Sequence, residues 1–141
     1  MSAALIGGAI ISFVSSGSIT LDRSASTVLV GLGYTGTIRG LNIEAGSQLG
    51  TAMGKTQRIY AATVKIYKSL GFKIGTTEQM DIVPFRDSSM SMDEPPTLFT
   101  GDKRVAFPKG WDRESYVIIK QEQPLPLTVL AIVAQMNTID A

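Results

Sequence analysis

The sequence predicts an all-β fold, an antiparallel β-sandwich or barrel-like domain with long loops. Three observations lead there. β-branched and aromatic residues gather in short runs, and Gly, Ser, Asp and Pro punctuate those runs at close intervals. Several of the runs also alternate apolar with polar side chains, the period of a strand with one buried face. No internal repeat interrupts the pattern, and residues 1–141 read as a single β-rich domain.

Ala3 to Val14 is the most apolar stretch. It falls short of the roughly 20 residues that cross a bilayer as a helix, and no Lys or Arg precedes it as in a secretion signal. Gly7-Gly8 followed by Ile10 and Ile11 favours a strand or hairpin within the core. Ser15-Ser16-Gly17-Ser18 is a turn before Ile19-Thr20-Leu21, and Asp22-Arg23-Ser24 leads into a strand at Thr27-Val28-Leu29-Val30. Gly31-Leu32-Gly33 breaks that strand. Tyr34 to Ile43 follows, with Tyr34, Gly36, Ile38 and Gly40 on one face and Thr35, Thr37 and Arg39 on the other. The small residues of Ala45 to Lys55 form a loop.

Arg58 to Ile74 admits two periods. Tyr60, Ala62, Val64 and Ile66 alternate as on a strand, whereas Ile59, Ala62, Ile66 and Leu70 make a helical stripe. Thr63, Val64, Ile66 and the two tyrosines tilt the reading to strand, and Gly71 and Gly75 bracket a short Phe72-Lys73-Ile74 strand. Met80 to Phe85 is the next strand, and Arg86 to Pro96 is a long exposed loop. Val105-Ala106-Phe107, Tyr116 to Lys120 and Thr128 to Val133 complete the set. Pro124 and Pro126 confine residues 124–127 to an edge, bulge or crossing, since proline donates nothing to a ladder.

Composition narrows the chemistry. The 13 basic and 12 acidic residues leave a net charge of +1, which gives no global attraction to nucleic acid or anionic membrane. Apolar residues make up 44% and charged residues 18%, enough for a packed core. Neither His nor Cys occurs, so Ser-His-Asp and Cys-His catalysis, thiol redox chemistry, disulfides and the usual zinc sites are excluded. Gly50-Thr51-Ala52-Met53-Gly54-Lys55-Thr56 looks like a phosphate loop, but the first glycine of that motif would have to stand at Leu49. Asp93 and Glu94 in a loop, and Asp102, Asp112 and Glu114 near Trp111, are the candidates for an acid/base pair, and solvated loops are the commoner setting for such groups. No calcium-loop spacing of acids is present. Lys55, Arg58, Lys65, Lys68 and Lys73 form a modest basic stretch that reads as a solvated face. No catalytic residue, metal or cofactor is expected.

Several segments, taken in order, carry a resemblance. They are Gly17 to Asp22, Val30 to Ile38, Gly54-Lys55 with Arg58-Ile59, Val64 to Gly71, Ile82 to Arg86, Leu98 to Lys103, Gly110 to Arg113 and Gln123 to Ile132. The series resembles the C-terminal domain of bacteriophage tail proteins of the nozzle, or tail tubular protein B, type, over about residues 17–133. Gly33 stands where that family usually has Pro. Members are also much longer, so the chain is expected to be either an excised domain or a separate subunit.

The resemblance implies a structural protein of the virion, built into the phage tail after synthesis in the bacterial cytoplasm. It would form a ring with other copies of itself, meet other phage tail proteins and let DNA pass in transit, without sequence-specific nucleic-acid binding and without a membrane anchor. Met90, Met92, Pro95 and Pro96 in the long loop, Trp111, and Pro124, Leu125, Pro126 and Leu127 are the expected contact residues. The alternative is a carbohydrate- or receptor-binding module of the tail tip, with Trp111, Tyr116 and nearby acids around a shallow groove.

Overall fold

The computed structural model describes residues 2–4, 11–13, 15–21, 24, 28–31, 34–44, 51–90 and 96–139. Among these there is no helix, and every strand pairing is antiparallel. The strands are β1 (Ser2–Ala4), β2 (Ile11–Phe13), β3 (Leu29–Gly31), β4 (Gly36–Arg39), β5 (Thr56–Ser69), β6 (Lys73–Gly75), β7 (Met80–Ile82), β8 (Phe99–Ala106), β9 (Ile118–Gln121) and β10 (Val129–Ile139). They form three sheets, in the orders β2-β1-β3, β10-β5-β8 and β4-β9-β6-β7.

The apolar N-terminal run supplies a hairpin, with Ser2 opposite Phe13 and Ala4 opposite Ile11. Just beyond it Ser15 and Ser18 exchange backbone hydrogen bonds of 3.0 and 2.9 Å. Ser16 and Gly17 between them both have positive φ, the signature of the tight turn that suits a twisted hairpin. The β3 strand starts two residues later than expected and includes Gly31, which pairs with Ser2.

The two larger sheets share one core and make a β-sandwich; neither closes into a barrel. β5 contributes Ile59, Ala62, Val64 and Ile66, while Phe72, Ile74 and Ile119 come from the opposite sheet and its approaches. Val83, Phe107 and Val117 fill in from the connections. Phe85 closes one side, edge-on to Phe72 at 5.6 Å and to Phe99 at 6.3 Å.

The strand reading of residues 58–69 holds, with one correction to its buried face. Tyr60 is 43% exposed and Ile59 fully buried. The register steps from Ala61 opposite Gln135 to Ile59 opposite Met136, so Tyr60 is the extra residue of a β-bulge. A second irregularity leaves Leu130 extra on β10. A third, against β8, lies at Lys68, whose φ is +41° and whose N–H donates to Thr100 Oγ1 at 3.0 Å.

The strand at Met80 ends at Ile82. Val83 still donates to Phe72 O at 3.0 Å, but Pro84 has no N–H to carry the pairing on. Gly75 lets the β6–β7 turn close tightly: a Cβ there would lie 2.1 Å from Gln79 O and 2.8 Å from Met80 Cα.

Candidate functional site

The segment from Phe107 to Val117 carries both aromatic residues of the expected binding groove. Phe107, Ser115 and Val117 are buried and anchor its ends, so the middle projects. Asp112 pins that middle to the start of β5: its N–H donates to Gln57 O at 2.8 Å and its carbonyl accepts from Gln57 N at 2.7 Å. The Asp112 carboxylate meets Lys109 Nζ at 2.9 Å and accepts from the N–H groups of Arg113 (2.6 Å) and Glu114 (3.4 Å). The lysine first, then these N–H groups, hold its pKa below the ordinary value.

An open groove of about 530 Å³ lies between this segment and the β6–β7 turn at residues 76–79. Tyr116 forms part of its wall. Its hydroxyl is 3.0 Å from Thr77 Oγ1, and two cations lie over its ring, Arg39 Cζ at 4.3 Å and Lys109 Nζ at 4.9 Å from the centroid. Those cations occupy the surface on which a sugar ring would stack. Trp111 is 44% exposed and does not line the groove, although its neighbours Gly110 and Asp112 do.

A second polar cluster lies on the opposite sheet's outer side. Lys73 of β6 and Lys120 of β9 are direct cross-strand partners, a like-charge pair. Glu122 resolves it, with Oε2 2.6 Å from Lys73 Nζ and Oε1 2.8 Å from Lys120 Nζ. The hydrogen bonds from Lys120 and then Lys73 lower the Glu122 pKa to about 2. Among the described residues, the two carboxyls with shifted pKa, Asp112 and Glu122, are thus held as anions, whereas a general acid near neutral pH needs a raised pKa. Among the described residues no group of three or more Asp or Glu is placed to hold a metal.

The expected contact residues fall into three kinds. Met92 and Pro95 lie outside the described residues, as do Asp93 and Glu94. Met90 is half-buried, and its N–H donates to Asp87 O at 3.1 Å; Pro96 is also half-buried. In the 124–127 segment Pro126 is exposed and Pro124 and Leu127 are half-buried, Leu127 against the core. Leu125 is 8% exposed, so its side chain belongs to the interior and not to a docking surface. The backbone is stitched inward as well: Pro126 O accepts from Leu70 N at 3.0 Å and Leu125 O from the Gln121 side chain.

The glycine-rich stretch before β5 forms a turn in which Lys55 N donates to Ala52 O at 3.2 Å. A strand follows it, without the helix N-terminus that a phosphate loop requires. Of the basic stretch, Lys65 reaches Asp102 at 3.9 Å, Lys73 is held by Glu122, and Lys68 lies over the Tyr67 ring at 5.4 Å.

The Lys73–Glu122–Lys120 cluster was foreshadowed in part by sequence. Lys120 and Glu122 are two apart at a strand end, a spacing that puts side chains on one side. The Arg39–Tyr116 contact had no local signal, because it depends on the β4–β9 pairing. Compared with models of known protein families and with curated proteins, the chain matches none.

Proposed function

We propose that this chain is a structural component of a bacteriophage tail, a nozzle-like ring subunit or domain that acts by assembly while DNA passes through the ring. The observation that carries this reading is the ordered series of segments between residues 17 and 133 that resembles the nozzle family. The sandwich suits such a role physically. Its two larger sheets lock onto one core, and four of its lysines lie beside carboxylates: Lys65 with Asp102, Lys109 with Asp112, and Lys73 and Lys120 with the shared Glu122. Paired charges of this kind offer a polyanion little to grip, which favours passage over retention.

The half-buried Met90 and Pro96, exposed Pro126 and exposed Trp111 are the surface contacts this reading assigns. An antibody raised against the purified chain should decorate the tails of intact virions in electron micrographs. Labelling of capsids alone, or of no virion structure, would overturn the assignment. The exposed indole of Trp111 beside the groove favours a second reading, glycan or receptor binding at the tail tip. Glycan-array binding that disappears in Trp111→Ala would establish that alternative.

A further inference from the structure

β8 turns one charged residue toward the core. Phe99, Gly101, Lys103 and Val105 are its inward residues, and Lys103 stands opposite Val64, which is fully buried. Lys103 Nζ donates to Pro84 O at 3.2 Å, and it lies 4.6 Å from the Phe99 ring centroid and 5.4 Å from that of Phe85. Gly101 leaves room for this arrangement: its φ is +144°, and a Cβ there would lie 3.3 Å from the Phe99 ring. One ammonium thus serves a carbonyl and two rings, which neither an amide nor an apolar side chain does.

Pro84 and Phe85 belong to no strand. Val83 before them is 2% exposed and its N–H donates to Phe72 O, so the chain is anchored up to that point. Pro84 is exposed and has no N–H. Phe85 is half-buried, edge-on to Phe72 before β6 and to Phe99 at the start of β8, and so bridges the two larger sheets through ring contacts. We propose that residues 84–86 form a strap that opens locally about Val83, with the Lys103 ammonium as its latch. Opening uncovers Phe72 and Phe99 on that side of the core and unpairs no strand. A segment secured by side chains outside any ladder lies at the low-stability end of a fold. The strap also roots the long loop that begins at Arg86, so the latch sets how firmly that loop's start is held.

The strap stands apart from the phage-tail reading, which virion labelling tests separately. Two arginines report on it. Cleavage after Arg86 by an arginine-specific protease requires Phe85 to leave its rings, whereas cleavage after Arg58, within β5, requires that long paired strand to open. Protease acting on the folded chain reads the population of each open form, and mass spectrometry of the fragments separates the two sites. In the wild-type chain Arg86 should be cut at least about tenfold faster than Arg58. Lys103→Gln, which keeps a donor for Pro84 O but offers the rings no cation, should raise cleavage at Arg86 about five- to tenfold and leave Arg58 unchanged. Lys103→Arg, which keeps both, should stay near wild type. Phe85→Leu removes a ring from the latch and should show the same selective rise, which supplies the test if Lys103→Gln fails to fold. Equal rates at the two sites in the wild-type chain would overturn the proposal. So would equal rises at both sites in the variants, no rise at Arg86, or a Lys103→Arg chain cut as fast as Lys103→Gln.

Discussion

Lys73 and Lys120 face each other across neighbouring strands, and a single carboxylate makes that arrangement tolerable. Glu122 has a folded pKa of about 2 against an ordinary value near 4.5, so over that interval the unfolded chain binds more protons than the folded one. The stabilisation is therefore complete above about pH 4.5 and is lost as pH falls toward 2. All three side chains are about one-third exposed, which limits the contribution to under about 1 kcal/mol. Glu122→Gln should lower stability by that order at neutral pH and flatten its pH dependence between about 4.5 and 2. Urea unfolding at several pH values checks this, and an unchanged acid slope would show that the bridge contributes nothing in solution.

At the scale of the element, β5 explains both what sequence reveals and what it hides. Ile59, Ala62 and Ile66 imitate a helical stripe because the bulge at Tyr60 shifts the strand's parity by one residue. A spacing of three inside a period-two element is the trace of that shift. Such a shift is invisible without the partner strand, because the extra residue is defined by what it fails to oppose. The same holds for strand ends: Pro84 stops β7 early, whereas β10 runs past Val133 because β5 continues to offer it partners through Thr56. Strand identity lay in β-branched and aromatic residues, and boundaries lay in pairing. Two substitutions separate the bulged strand from a regular one. Ile59→Ala should cost about 2–5 kcal/mol, the range for emptying a fully buried site, whereas Tyr60→Ala should cost less than about 1 kcal/mol. Chemical denaturation of both measures the difference, and a larger loss at Tyr60 would contradict the bulge.

For the whole molecule, the sandwich decides which expected contact residues are free to meet a neighbour. Sequence marked residues 124–127 by their prolines, and a proline-rich link is equally at home on a surface or folded against the core. The burial of Leu125, with Gln121 and Leu70 holding the backbone, could not be read from that composition. The segment therefore presents two chemistries one residue apart. Leu125→Ala should destabilise the fold by about 2–4 kcal/mol and lower assembly only through the population of unfolded chain. Pro126→Lys leaves the carbonyl that Leu70 uses in place and should change stability by less than about 0.5 kcal/mol. If residues 124–127 touch a neighbour, Pro126→Lys reduces incorporation into particles at unchanged thermal stability. Equal incorporation of Pro126→Lys and wild-type chains would instead show that the segment serves only the chain's own fold and would remove it from the proposed assembly surface.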